Sequence, residues 1–228
     1  MTVTTEVLEP PAIGHLRGEA VPVRAIGPAE LEPLFALYRR QHGDAEFLHF
    51  EQDFREKHWV LLLRGEDGSV CGFSTQKLFD AADSEGQLIR VLYSSDAILE
   101  SNEWGEQELV RAWCRFAGQA LAQEPDTPLY WMIASNSVRT YLCLSFFFRE
   151  YWPRKEQATP ELQQRLLSSL ARVRFGYAYD EASGLVRLPE GPQLVCLAPL
   201  SPDNVRGLAA KSLREGLALG PLRLGATV

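Results

Sequence analysis

No run in this sequence approaches the ~20 consecutive apolar residues that a membrane-spanning helix requires. The first residues, MTVTTEVLEPP, also lack the basic-then-apolar order of a secretory leader. Both absences lead to the expectation of a soluble, cytoplasmic protein with no membrane partner. Long basic runs are missing as well, and a formal net charge of −7 has the wrong sign for a phosphate backbone, so no nucleic-acid partner is expected. Cysteine is sparse: Cys71, Cys114, Cys143 and Cys196 are scattered with no C-x-x-C pair, which argues for buried free thiols over a zinc site or a redox dithiol. The four histidines show no H-E-x-x-H or clustered His/carboxylate spacing, so no metal is implied. None lies beyond His58, which deprives every later serine of a histidine from its own half of the chain and makes a hydrolase triad a poor reading.

What is present is enough apolar material for one substantial core, at 46% of 228 residues. The expected organisation is a flexible N-terminal arm over residues 1–20, where Pro, Gly and small polar residues show no periodicity, and one domain over 21–228 with C-terminal strands and a helix. Val21 to Ile26 reads as a first strand, and Leu31, Leu34, Phe35 and Tyr38 repeat at helical spacing after Gly27-Pro28. The segment Phe47 to Lys57 alternates aromatic and acidic residues and fits either a short helix or a loop. Trp59 to Arg64 and Val70 to Phe79, joined by Gly65-Glu66-Asp67-Gly68, form the clearest hairpin, and Gln87 to Ser94 extends it as a meander.

A helix over Trp104 to Ala122 turns Leu109, Val110, Trp113, Phe116, Ala117 and Ala120 inward and sets Glu106, Glu108, Arg111 and Arg115 on its other face. Pro128 to Ala134 is short and wholly apolar, as a strand covered on both faces would be, and should be central. Asn136 then opens a helix to about Phe148, and Pro160 to Val173 forms another. Two late strands, near Val186 to Leu188 and Leu194 to Leu197, precede a helix from Ser201 or Pro202 to Leu217.

In this order, the elements from about residue 21 to 200 resemble the GNAT superfamily of acyl-CoA N-acyltransferases. The runs EWGEQELVRAWCRFAGQAL and PLYWMIASNSVRTYLCLSFFFREYWPR are similar to a group of bacterial GNAT-like proteins. The resemblance implies an α/β (α+β) fold with a mixed, mostly antiparallel central sheet flanked by helices on both faces. It also implies acyl transfer from a thioester donor, acyl-CoA or an acyl-carrier protein, to a small-molecule amine. The alternative is a catalytically silent domain of the same fold that binds a ligand or a protein. Dimerisation, common in the superfamily, is an open expectation.

In that superfamily a Q/R-x-x-G-x-G/A turn holds the coenzyme's pyrophosphate on backbone N–H groups at a helix N-terminus. The matching positions here are Asn102, Gly105 and Gln107, so one of the two small residues is kept. Glu100, Glu103, Glu106 and Glu108 crowd the turn, with no basic residue before Arg111. Asn136 stands where the resemblance places a further donor-binding residue. Asp96, at a strand end beside the expected cleft, is the candidate base, because burial there would raise its pKa. The tyrosine that usually meets the leaving thiolate is replaced by Cys143 and Leu144, which leaves Tyr141, one turn earlier, as the candidate. Trp104 and the pair Tyr130-Trp131 are large aromatics at the two edges of that cleft, suited to line a pocket or the core. Between Arg139 and Arg174 seven basic residues outnumber three acidic ones, which would suit a phosphate or an acidic carrier protein.

Overall fold

A computed structural model of the protein describes residues 16–100, 107–188 and 191–222. Eight strands form one sheet in the spatial order β1 (Arg17–Pro22), β2 (Trp59–Arg64), β3 (Val70–Ala82), β4 (Leu88–Leu99), β5 (Leu129–Ser135), β8 (Gly191–Leu200), β7 (Leu185–Leu188) and β6 (Tyr179–Asp180). Every neighbouring pair is antiparallel except β4 with β5. The helices are α1 (Pro28–Gln41), α2 (Phe47–Arg55), α3 (Glu108–Gln123), α4 (Val138–Phe147), α5 (Glu161–Phe175) and α6 (Gly207–Ala218). This is the mixed, mostly antiparallel sheet with helices on both faces that the sequence led us to expect.

The period-two alternation of the strands divides the core. In β2, Leu61 and Leu63 face α3, while Val60 and Leu62 face α1 and α2. On β4 the same alternation sends Leu92 toward α3 and Val91 and Tyr93 toward α5. One layer therefore holds α3, α4 and α6, and the other α1, α2 and α5. β5 lies between them, with Leu129 and Ile133 buried in the first layer and Met132 in the second, which explains its unbroken apolar run. The β2–β3 hairpin turns where Gly68 takes a left-handed backbone (φ 82°) and the Asp67 carboxylate accepts from the Ser69 N–H (2.9 Å) and hydroxyl (2.6 Å).

Several boundaries differ from the sequence reading. The first strand is Arg17–Pro22, with Val23–Ala25 in a 3-10 turn, so the Val21 to Ile26 assignment is shifted. Leu16 is buried and 17–20 pair with β2, so the end of the segment assigned to a flexible arm belongs to the sheet; residues 1–15 lie outside the described residues. Phe47–Arg55 is a helix, because Phe50 and Phe54 stand one turn apart and both are buried. The helix after β5 is capped by Ser137, whose hydroxyl accepts from the Thr140 N–H (3.4 Å), so Asn136 precedes the cap. Glu108 is buried instead of facing out, held by Arg115 (2.5 Å) and Arg111 (3.7 Å).

α6 packs on the outer side of α3, which is thereby covered by the sheet on one side and a helix on the other. The contact depends on two glycines: a Cβ on Gly118 would lie 2.2 Å from the Leu213 carbonyl oxygen, and one on Gly216 2.0 Å from that of Arg115. These obstacles are backbone atoms and cannot rotate away. Gly118→Ala and Gly216→Ala should each lower the unfolding free energy by about 1–3 kcal/mol through overpacking, despite the ~1 kcal/mol of helix propensity that alanine gains over glycine. Urea unfolding beside Gly43→Ala, whose added Cβ meets open space, provides the comparison.

Candidate active site at the parting of β4 and β5

The parallel pairing of β4 with β5 runs from Arg90↔Leu129 to Ser94↔Ile133 and stops there. Both strands continue, β4 to Leu99 paired with β3 and β5 to Ser135 paired with β8, so among the described residues the seam between them opens into a slot past Ser94 and Ile133. At the same level β4 bulges: Thr75 pairs with Ser95 and Phe73 with Ile98, so Asp96 and Ala97 stand opposite the single residue Ser74. Asp96 takes a left-handed backbone (φ 50°), unusual for a non-glycine residue. The bulge re-aims successive side chains, and Ser95 and Asp96 both reach Thr75 on the α1/α2/α5 side.

On that side the Asp96 carboxylate accepts from Thr75 Oγ1 (2.8 Å) and Ser95 Oγ (3.1 Å). Asp96 keeps an edge in solvent, but its carboxylate is desolvated. Burial holds its pKa above the usual 3.8; Lys57 and the two hydroxyls oppose the rise, and Asp53 adds to it. Lys57 is 3% exposed, with its ammonium on the Asp53 carboxylate (2.5 Å) and carbonyl (3.0 Å). The Arg174 guanidinium lies over the Tyr93 ring (4.9 Å) and near Asp53 (3.7 Å) and Glu56 (3.9 Å), tying α5 to α2. A carboxylate with a raised pKa, set at the slot among fixed dipoles, is suited to accept a proton.

The opposite side of the same junction is aromatic. Trp113 from α3 and Trp131 from β5 both donate their indole N–H to Ser94 Oγ (3.0 and 2.9 Å), with ring centroids 4.4 Å apart. Ser94 donates in turn to Gln76 Oε1 (2.5 Å), Gln76 Nε2 to Ser74 Oγ (2.9 Å), and Ser74 to the Ser95 carbonyl (3.1 Å). This relay satisfies a buried polar cluster and ends beside the bulge. Phe148 backs the indoles, 5.4 Å from Trp131.

The sequence candidates are distributed as follows. Asp96 lies at the slot. Asn136 is exposed just beyond the end of β5, and Gln107 is exposed at the N-cap of α3, with no side-chain cap bond. Asn102, Gly105, Glu103, Glu106 and Trp104 lie outside the described residues. Tyr141, on α4, donates its hydroxyl to the Pro153 carbonyl (3.2 Å), and its phenol is raised in pKa by burial first and Tyr151 next. Of the four carboxylates around the start of α3, the two among the described residues are paired: Glu100 with Arg40 (2.5 Å), and Glu108 with Arg115 and Arg111. The basic excess after Arg139 is also largely engaged. Arg149 and Arg154 bond backbone carbonyls, Arg165 pairs with Glu161, Arg172 with Glu181, and Arg174 with Asp53.

Sequence reasoning missed Lys57 and Thr75, and counted Arg174 in a basic surface excess, whereas it packs on Tyr93 beside Asp53. The Asp53–Lys57 spacing of four on a helical run was a usable signal; Thr75 carried none. Among the described residues, no group of three or more His, Cys, Asp and Glu side chains could hold a metal ion.

No family model and no curated protein matches the sequence. Among solved structures the chain is similar to the aminoglycoside acetyltransferase AAC(6′)-Ib in complex with coenzyme A and kanamycin (TM-score 0.44, 13% identity, 81% of this chain and 94% of that one). It is also similar to the Escherichia coli GNAT family N-acetyltransferase YhbS in complex with CoA (0.40, 16%, 61% and 71%). A third likeness, to a conserved Enterococcus faecalis protein of unknown function (0.43, 11%), spans 59% of this chain and 33% of that one.

The raised pKa of Asp96 gives a signed expectation. Between the unfolded value near 3.8 and the higher folded value, the folded protein keeps a proton that the unfolded chain has released, so this group lowers stability as pH rises through that interval. The stability of Asp96→Asn relative to wild type should therefore increase from below pH 3.8 upward and level off above the folded pKa. Denaturant unfolding across that range checks it, and a difference that shrinks with rising pH is the contrary result.

Proposed function

We propose that the protein is a GNAT-like N-acyltransferase that transfers an acyl group from acyl-CoA to a small-molecule amine through the slot between β4 and β5. The observation that carries this reading is the parting of the two parallel strands beside a desolvated carboxylate. A sheet is otherwise a wall, and here its two faces are differently equipped where the wall opens. The helix that follows the donor turn, α3, belongs to one face, and the Asp96 carboxylate is presented on the other. Donor and acceptor thus approach from opposite sides and meet at the opening, and holding them there supplies most of the rate gain through alignment.

The residues present fit an anionic donor at the start of α3. The Gln107 side chain makes no cap bond to the first turn of α3, and the described carboxylates nearby, Glu100 and Glu108, are paired with arginines. Gly105, Asn102 and Gln107 would hold the pyrophosphate and Asn136 the arm that follows it. The bound donor supplies an acyl carbon activated by its thioester. Asp96 would accept the proton of the attacking amine, and Tyr141, whose hydroxyl rests on the Pro153 carbonyl, would supply a proton to the leaving sulfur. The engagement of Arg149, Arg154, Arg165, Arg172 and Arg174 within the chain favours coenzyme A over an acyl-carrier protein as the donor.

Calorimetric titration with acetyl-CoA should give saturable binding, and a screen of amines should give turnover. Absence of binding at millimolar acetyl-CoA would falsify the proposal. Asp96→Ala should reduce kcat by about 10²–10⁴-fold, the usual contribution of a general base, with a smaller change in donor affinity. The wild-type pH profile of kcat/KM should rise with an acid limb above the ordinary carboxylate value, and Asp96→Asn should lack that limb.

A further inference from the structure

Where β4 and β5 part, the α3 side of the slot ends on the paired indoles of Trp113 and Trp131. They cannot swing aside freely: both N–H groups are bonded to the one hydroxyl of Ser94, which is 8% exposed and itself bonded to Gln76. Rotating either ring out would break its bond to the buried Ser94 hydroxyl and undo the indole packing around it. The two rings differ in access. Trp113 is 8% exposed and belongs to the core between α3 and the sheet. Trp131 keeps part of its surface open, and its main-chain position is two residues before the last paired residue of β5. Its indole reaches diagonally across the strand boundary to Ser94, so the ring spans the floor of the opening. Phe148, fully buried behind it, blocks its retreat.

We infer that Trp131, locked by Ser94, is a specificity-determining residue that restricts the donor to short acyl groups such as acetyl. This inference rests on the acyl-transfer reading. A donor whose reactive carbonyl was held at the bulge would direct its acyl chain toward the Trp131 ring, which would tolerate a short group and obstruct a long one. Truncating the ring would open an apolar recess lined by Trp113, Phe148 and Leu92, the surroundings a longer chain needs.

The test is calorimetric titration of the full chain with acetyl-CoA, butyryl-CoA and octanoyl-CoA, read as the ratio of octanoyl to acetyl affinity. Wild type should bind octanoyl-CoA at least ~10-fold more weakly than acetyl-CoA, the discrimination that even one or two methylenes command in a closed apolar pocket. Trp131→Ala should raise that ratio by at least ~10-fold. Trp131→Phe, which keeps an aromatic ring in the core and serves if the alanine variant does not fold, should gain butyryl-CoA first. Wild type binding all three equally, or a ratio unchanged in the folded variant, overturns the inference while leaving the acyl-transfer reading intact. Failure of wild type to bind any of the three overturns both.

Discussion

The sheet contains one parallel pair among antiparallel neighbours, and that pair is joined for only five residue pairs, from Arg90↔Leu129 to Ser94↔Ile133. A parallel connection cannot be made by a tight turn; it needs a crossover, and α3 provides it across one face. The crossover places the end of β4, the start of α3 and the end of β5 together at one edge of the molecule. Past Ser94, among the described residues, β4 stays paired with β3 and β5 with β8, and the ladder between β4 and β5 does not resume. The aromatic floor, the bulge and the buried carboxylate are all arranged around that five-residue seam.

The two sides of the seam are linked by hydrogen bonds. From the indoles through Ser94, Gln76 and Ser74 to the Ser95 carbonyl, each donor meets an acceptor, and the last contact holds the residue before Asp96. A left-handed aspartate costs energy and persists where its surroundings over-determine it. Here the hydroxyls of Thr75 and Ser95 hold the carboxylate while Ser74 holds the preceding carbonyl. The two indoles and the Asp96 carboxylate are therefore linked through one network, although they face opposite layers.

Much of the fold was legible because local signals agreed with the final arrangement. The Gly65 to Gly68 turn fixed the β2–β3 hairpin, the unbroken apolar run of β5 marked the sheet's centre, and Leu109 to Ala120 gave the inward stripe of α3. The first strand was misplaced because Val21 to Ile26 is as β-prone as the true pairing segment Arg17–Pro22, and only pairing with β2 decides between them. Glu108 was assigned to an exposed face because periodicity counts a carboxylate as polar; its burial became affordable through Arg111 and Arg115 one and two turns along. The desolvated setting of Asp96 was legible from its place beside the expected cleft, but the bulge and left-handed backbone that present it were not. Ser94 is legible as a polar contact at the strand end, but not as a hub, since one hydroxyl serving two indoles nineteen and thirty-seven residues away has no signature in sequence.

The glycine contact between α3 and α6 carries a mechanical consequence. Two helices whose backbones touch at Gly118 and Gly216 have no side-chain layer to slide on, so they translate and tilt as one body. α4 is differently held: it packs inward through Leu144 and shows Val138, Leu142 and Phe146 to solvent. The wall that α3 gives to the site, in contrast, is braced from behind by α6, backbone against backbone.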